Sequence, residues 1–221
     1  MKVNDIKYKF IFLGQSVLRY KVPTNIFHTI NSIYEKNFVN LPAANKQLVG
    51  KIKNEHSIFY NGDEESKMKK HSLIPLEVQQ WFMSMFEHYL LFNKIKNYKT
   101  HLNSIWINEM KAHEYNPVHI HQGTLFTGLS SVMILKLPSH YGVEYSAENS
   151  PQNGRLQILG SSSGQFSNVD YQPEIEVGDF YIFPYDMRHT VYPFNGTSEV
   201  RRTLAANCDV LYNPVENRGV N

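Results

Sequence analysis

The sequence predicts a mixed, mainly β fold in which N-terminal helices support an antiparallel β-sandwich of the jelly-roll type. Beyond Tyr98, short runs of β-branched, aromatic and other apolar residues alternate with Gly, Pro and Asn. Before that point, apolar residues recur with the period of an α-helix. No tract of Pro, Ser and Gly near residue 100 suggests a linker. We therefore predict one domain, residues 1–221, with a helical support region at 1–100 and a β core at 101–213.

The predicted support region has three parts. Aromatic and β-branched residues at 8–20 predict one or two strands that stop at Val22-Pro23. Thr24 is the predicted N-cap of a first helix, whereas residues 37–70 show no clear period. The most regular helix follows Pro75, and its apolar positions are Val78, Trp81, Phe82, Met85, Phe86, Tyr89 and Leu90. We expect this face to pack on the sheet.

The core is predicted from short apolar runs that suit strands. These runs are residues 105–110, 129–137, 156–159, 180–183, 190–194 and 203–211. Residues 138–173 are instead rich in Ser, Gly, Asn and Tyr around one short strand. Such a segment can form either a lid over a site or a variable surface loop.

Charge and cysteine content exclude several classes of function. The formal net charge is +2 and 19% of the residues are charged, so the basic field that attracts nucleic acid is missing. Cys208 is the single cysteine, which excludes an intrachain disulfide and agrees with a reducing compartment. The N-terminus does not resemble a signal peptide, and no run of eighteen apolar residues occurs. We therefore predict a cytoplasmic protein without a membrane or nucleic-acid partner.

A pair of histidines offers the clearest chemistry. His119 and His121 are separated by one residue, so both project from the same face if this stretch is a strand. His189, far downstream, can supply a third imidazole. Three histidines make a metal site that leaves coordination positions open, as catalytic sites do. Spacing alone favours ordinary hydrogen-bonded histidines over a metal site.

The order of several segments resembles a known family. The segments are residues 104–108 (SIWIN), 115–121 (YNPVHIH), 128–130 (GLS), Gly178-Asp179 before Phe183-Pro184, 189–193 (HTVYP), and Arg201-Arg202-Thr203 leading to Asn207. In this order they resemble the double-stranded β-helix of the Fe(II)/2-oxoglutarate dioxygenases, and in particular the 2-oxoglutarate/Fe(II) oxygenase family related to the prolyl hydroxylases. The resemblance covers residues 104–213, whereas the first hundred residues match weakly.

The resemblance implies roles for individual residues. His119 and His189 would be the two histidines of the iron triad, and His121 stands where the superfamily usually has Asp or Glu. Either His121 is the third ligand, which we favour, or a carboxylate such as Asp186 or Glu114 replaces it. The resemblance also implies that Arg201 and Thr203 hold the distal carboxylate of 2-oxoglutarate. Arg202, which points to the opposite side of the same strand, is assigned to a salt bridge.

The resemblance further implies an oxidoreductase that uses Fe(II), 2-oxoglutarate and dioxygen, with ascorbate as reductant. Such an enzyme couples decarboxylation of 2-oxoglutarate to succinate with oxidation of a C–H bond in a small-molecule or protein substrate. Two other functions stay open. One is a three-histidine cupin, either a dioxygenase that does not use 2-oxoglutarate or a zinc hydrolase. The other is a jelly-roll binding module without catalysis.

Overall fold

Two long helices and a series of strands form the part of the chain that a computed structural model describes, which is residues 14–44, 49–62, 68–160 and 170–215. In chain order the elements are β1 (Leu18–Lys21), α1 (Thr24–Asn37), β2 (Asn54–Tyr60), β3 (His71–Ser72), α2 (Leu76–Phe92), β4 (Tyr98–Met110), β5 (Asn116–His119), β6 (Gly128–Lys136), β7 (Leu156–Leu159), β8 (Asp170–Tyr171), β9 (Asp179–Pro184), β10 (Arg188–Val191) and β11 (Arg201–Tyr212). A short 3₁₀ turn, Phe38–Asn40, follows α1.

The strands form two antiparallel sheets. The major sheet has the order β1-β9-β6-β11-β4-β2-β3, and the minor sheet has the order β5-β10-β7-β8. Apolar side chains from both sheets, among them Ile134 of β6 and Leu156 of β7, share one buried cluster. This arrangement confirms the predicted jelly-roll, double-stranded β-helix class.

The two helices cover the other face of the major sheet. α1 buries Ile26, Ile30 and Tyr34, whose spacing of four places them on one side of the helix. α2 buries Val78, Phe82, Phe86, Tyr89 and Leu90, so the helical period predicted after Pro75 is confirmed. These side chains form a second core with Ile105, Ile107 and Leu204 of the sheet.

Some local predictions for the first hundred residues need correction. Pro23, rather than Thr24, is the N-cap of α1, and no side chain caps this end. Pro23 has extended geometry, and its carbonyl accepts the first helical hydrogen bond from Phe27. The region predicted as helical support also contributes β1, β2 and β3 to the major sheet. Of the strand predicted at 8–20, residues 8–13 lie outside the described residues.

Strand parity in β4 and β11 separates the helix-side core from the site. The unbroken register pairs Arg201 with Met110, Thr203 with Asn108 and Ala205 with Trp106. Their neighbours Leu204 and Ile107 point to the helices instead. Because successive side chains alternate between the faces of a sheet, one strand can serve both the core and a cavity.

Candidate active site

A cavity of about 680 Å³ lies between the two sheets. Its wall on the major sheet includes Ser57, Ser104, Trp106, Asn108, Thr203, Ala205 and Asn207. The minor sheet and the segment that follows β5 contribute Asn116, His119, His121 and His189. A cavity of this size can hold small organic molecules, and its lining mixes apolar and polar groups as binding sites do.

Three histidines converge in this cavity. His119 lies directly opposite His189 in the pairing of β5 with β10, and His121 follows two residues later. The ring centroids of His119 and His189 are 4.2 Å apart, and those of His121 and His189 are 4.9 Å apart. One ring nitrogen of each residue lies within 4.8 Å of the other two. β5 ends at His119, so the strand predicted to carry both histidines does not reach His121, although its ring still lies beside those of His119 and His189.

The hydrogen bonds of His119 and His189 to the backbone direct the Nε2 lone pairs into the cluster, where Nε2 of His189 lies 3.1 Å from Nε2 of His121. Nδ1 of His119 lies 2.7 Å from the carbonyl oxygen of Pro117, and Nδ1 of His189 lies 3.1 Å from that of Met187. A carbonyl only accepts, so each Nδ1–H donates and each Nε2 keeps its lone pair. Burial, and then the nearby His119, lower the pKa of His189 to about 3. Burial, with smaller contributions from His189 and His119, also lowers the pKa of His121 well below its usual value. Neutral imidazole is the form that binds metals.

The two carboxylates considered as substitute ligands do not join this group. Oδ1 of Asp186 accepts a hydrogen bond from Gln15 at an exposed position, 2.9 Å away. Glu114 instead accepts from the backbone N–H groups of Lys53 and Lys111. Among the described residues, the metal-ligand type group in this cavity therefore contains three imidazoles and no carboxylate.

Arg201 is a buried cation that lacks acceptors among the described residues. The residue is 2% exposed, and its Nε and Nη2 have no hydrogen-bond partner there. Burial lowers the pKa of the guanidinium to about 10, while the neighbouring Tyr141 acts in the opposite direction. The Tyr141 hydroxyl is also buried without a partner, and its ring packs on Phe194. Unpaired buried charge is costly, and a bidentate carboxylate would supply the acceptors that Arg201 lacks.

A row of polar residues crosses the major sheet next to Arg201. Thr203 of β11 pairs with Asn108 of β4, which in turn pairs with Glu55 of β2. Directly paired residues share a face of the sheet, so all three are on the cavity side. Oδ1 of Asn108 and both Oε atoms of Glu55 are buried and have no hydrogen-bond partner among residues 14–44, 49–62, 68–160 and 170–215.

The sequence did not single out Asn108, Tyr141 or Glu55 as functional residues. Asn108 could have been predicted, because it lies two residues beyond Trp106 and therefore on the same face of β4. Glu55 lies on a strand that carried no clear period, and Tyr141 lies in the segment interpreted only as a lid or a loop. No local pattern relates either residue to the cavity.

Asp209 fixes the segment that follows His121. Its carboxylate accepts hydrogen bonds from Asn103 Nδ2, the Thr124 backbone N–H and the Tyr185 hydroxyl, at 3.2, 3.1 and 3.1 Å. A β-carbon at Gly123 would collide with this carboxylate. Glycine at this position allows the chain to pass close to Asp209.

Arg202 lies on the helix side of β11. Its Nη2 is 2.8 Å from Oε2 of Glu109, and its Nη1 is 3.4 Å from Oε1 of Glu35. The guanidinium lies over the ring of Tyr34, 4.5 Å from the centroid. The two adjacent arginines therefore have separate surroundings: Arg202 joins the sheet to α1, and Arg201 faces the inter-sheet side.

The strands that carry the site match a known protein family. The family model described as "Putative 2OG-Fe(II) oxygenase" matches residues 104–207, the stretch that contains all three histidines, Arg201 and Thr203. Residues 104–207 belong to the 2-oxoglutarate/Fe(II) oxygenase superfamily. The predicted class, a 2-oxoglutarate-dependent oxidoreductase, is confirmed at the level of the family, whose cofactor is Fe(II) and whose cosubstrate is 2-oxoglutarate.

Solved structures with this oxygenase fold cover most of the chain. A prolyl-4-hydroxylase from Pseudomonas putida has a TM-score of 0.53 at 12% identity, over 88% of this chain and 92% of the other. A 2OG-Fe(II) family oxidoreductase from Burkholderia pseudomallei has a TM-score of 0.53 at 11% identity, over 87% and 84%. A Trichoplax adhaerens prolyl hydroxylase, in complex with a hypoxia inducible factor peptide fragment, has a TM-score of 0.51 at 11% identity, over 94% and 87%. At these identities the likeness establishes the fold.

Two further findings are negative. No curated protein matches the sequence. Among the described residues, neither helix is long and apolar enough to cross a membrane.

Proposed function

We propose that the protein is an Fe(II)- and 2-oxoglutarate-dependent hydroxylase. The observation that carries this proposal is the buried guanidinium of Arg201, unpartnered among the described residues, on the same face of β11 as Thr203, which lines the cavity of the three converging histidines. A metal site alone fits many chemistries, whereas a metal site beside a buried carboxylate receptor fits a 2-oxo acid that has a second carboxylate. The expected stoichiometry is one 2-oxoglutarate and one O₂ consumed per substrate hydroxylated, giving succinate and CO₂.

In this proposal, Nε2 of His119 and of His189, together with one ring nitrogen of His121, hold the iron. The carbonyl groups of Pro117 and Met187 fix the ring orientations of His119 and His189 through their Nδ1–H groups. Iron held there would supply the activation of dioxygen, and one oxygen atom enters succinate while the other enters the substrate. Three neutral ligands leave the metal with more positive charge than a triad that contains a carboxylate.

The cosubstrate is oriented by the major sheet. Arg201 binds its distal carboxylate through paired N–H donors, and the hydroxyl of Thr203 contributes from the same face of β11. Thr203 is 5% exposed, so this end of the cavity is sheltered from water. Charge-assisted hydrogen bonds strengthen in such surroundings, which favours a dianion over a monocarboxylate.

A three-histidine metal enzyme that does not use 2-oxoglutarate is the second candidate. It is favoured by the ligand-type group itself, since three imidazoles also suit zinc and the cluster holds no carboxylate among the described residues. The two candidates differ in what they require of Arg201, because only the first needs a receptor for a second carboxylate.

Succinate formation tests the proposal. The protein is incubated with Fe(II), ascorbate and 2-oxoglutarate, and succinate is measured with and without candidate substrates. We expect slow succinate release in the absence of substrate, dependent on Fe(II) and lost in Arg201→Met. If the protein binds metal but not 2-oxoglutarate, the cupin candidate is favoured. If it binds neither metal nor 2-oxoglutarate, a non-catalytic module is favoured.

A further inference from the structure

We propose that the primary substrate carries an organic cation, an ammonium or guanidinium group, and that Glu55 binds it. This inference rests on the proposed function, because it names the substrate class for the same cavity. It is carried by a group of buried oxygen acceptors that have no donor partner.

Glu55 is the centre of this group. The residue is 1% exposed, and in the part of the chain that the structure describes neither carboxylate oxygen has a hydrogen-bond partner. No ion pair between Glu55 and a described residue is present. Buried carboxylates are ordinarily paired with a cation or with several N–H donors, because burial of an unpaired charge is costly.

The same region contains further unpaired acceptors. Oδ1 of Asn108 and Oδ1 of Asn116 are buried without partners, and both residues line the cavity. Asn108 pairs directly with Glu55 across β4 and β2. Ser57, two residues beyond Glu55 on the same face of β2, also lines the cavity. The face that carries Glu55 is therefore the cavity face.

The carboxylate of Glu114, whose charge acts on Glu55, offers it no donor. Glu114 is itself an acceptor of two backbone N–H groups, from Lys53 and Lys111. Burial raises the pKa of Glu55 to about 7, and the charge of Glu114 contributes in the same direction. A cation bound beside Glu55 would supply both the positive charge and the N–H donors that are missing.

The unpaired groups on this side of the major sheet are of two chemically opposite kinds. Arg201 and Tyr141 have donors without acceptors, and Glu55, Asn108 and Asn116 have acceptors without donors among the described residues. The dianionic cosubstrate matches the first kind. An ammonium or guanidinium group has only donors and matches the second.

A structural role for Glu55 is the competing explanation. A protonated Glu55 could donate a hydrogen bond to Asn108 or Asn116 and simply complete the core. Glu55→Gln separates the two explanations, because glutamine retains the donor and the shape but removes the charge. A structural role predicts that this variant behaves like the wild type, whereas cation binding predicts a loss.

The experiment uses two probes of the same shape, n-butylguanidinium and n-butylurea, which differ in charge. Each is titrated calorimetrically into the protein loaded with Ni(II), which prevents turnover, and with 2-oxoglutarate. We expect the guanidinium to bind at least about tenfold more tightly than the urea. This preference should disappear in Glu55→Gln and persist in part in Glu55→Asp. Glu35→Gln, which removes one exposed charge on α1, is the matched control and should leave it unchanged.

The outcomes distinguish this inference from the proposed function. If 2-oxoglutarate fails to bind the Ni(II)-loaded wild type, the proposed function is overturned, and the same two probes are titrated onto the metal-free protein. Equal affinities for the two probes on the wild type would overturn the role of Glu55. A guanidinium preference that survives in a folded Glu55→Gln protein would overturn it as well.

Discussion

His119 and His189 are direct partners across β5 and β10, and their ring centroids are 4.2 Å apart. His121 lies beyond the end of β5, with its Nε2 3.1 Å from Nε2 of His189. The first two imidazoles are thus positioned by sheet register. The third depends on the segment that Asp209 anchors.

The first prediction concerns the third imidazole. His121→Ala should lower the affinity for Fe(II) by at least about tenfold while the protein stays folded, since one of three ligands is lost. His121→Asp should restore the affinity, because a carboxylate at this position returns a negative charge to the ligand set. Anaerobic equilibrium dialysis measures both. Wild-type iron affinity in a folded His121→Ala protein would mean that this residue is not a ligand.

The second prediction separates the two adjacent arginines. Arg201→Met should raise the Kd for 2-oxoglutarate about 10- to 100-fold, because charge-assisted hydrogen bonds to a carboxylate are lost. The same variant should not melt at a lower temperature without ligand, since methionine removes an unpaired buried charge. Arg202→Met should retain the Kd and lose stability, because Glu109 then lacks its partner. Calorimetry and thermal melts give the two readouts, and equal Kd changes in both variants would contradict the assignment.

A third prediction concerns the hydroxyl of Tyr141. Tyr141→Phe keeps the ring that packs on Phe194 but removes the unpaired donor near Arg201. We expect the Kd for 2-oxoglutarate to rise roughly 3- to 20-fold, as one hydrogen bond to a charged group is lost. Binding of 2-oxobutyrate, which lacks the distal carboxylate, should not change. A similar loss for both oxo acids would place Tyr141 away from that carboxylate.

The fourth prediction follows from the close passage of Gly123 past Asp209. Gly123→Ala should lower the free energy of unfolding by about 1–3 kcal/mol, because the new methyl group must displace a buried, hydrogen-bonded carboxylate. It should also weaken Fe(II) binding, since His121 lies two residues earlier. Chemical denaturation and metal titration of the variant test this. An unchanged protein by both measures would mean that the segment adapts without moving Asp209.

The last prediction concerns pH and Asp179, at the edge of the major sheet. Burial opposes ionisation of its carboxyl, but Lys21, the Glu176 N–H and Arg19 outweigh burial, so its pKa is lowered. A lowered folded-state pKa stabilises the protein above the unfolded value, near 3.8, and this stabilisation is lost as pH falls through the folded value. Asp179→Asn should therefore cost about 1–3 kcal/mol at pH 7 and progressively less below about pH 4. A cost independent of pH, measured by urea denaturation, would contradict the assignment.

Much of the fold can be predicted from the sequence, because apolar residues recur every two residues in strands and every 3.6 residues in helices. The helix after Pro75 and the strand at 156–159 are found where they were predicted. β2 was not predicted, because a register irregularity between Ser57 and Phe59 breaks the alternation of its side chains. Thr24 has a side chain of a common cap type, which predicts a cap there, but Pro23 occupies that position.

Some residues of the candidate site can also be predicted from the local sequence pattern, and others cannot. Strand parity predicts that His119 and His121 share a face, and parity also separates Arg201 from Arg202. Their roles as ligands of iron and 2-oxoglutarate stay predictions. Glu55 and Tyr141 could not be predicted, because they reach the inter-sheet region only through pairings and packing between distant parts of the chain.

The unbroken pairing of β11 with β4, from Arg201 to Asn207, also limits how this protein can change over time. A one-residue insertion within that stretch would turn every later side chain to the other face, and one at its start would exchange the faces of Arg201 and Arg202. The register irregularity between Asn207 and Cys208 marks the end of the stretch. A point substitution in β11 changes one side chain on one face, whereas a change in the length of β11 alters the cavity and the helix-side core at once.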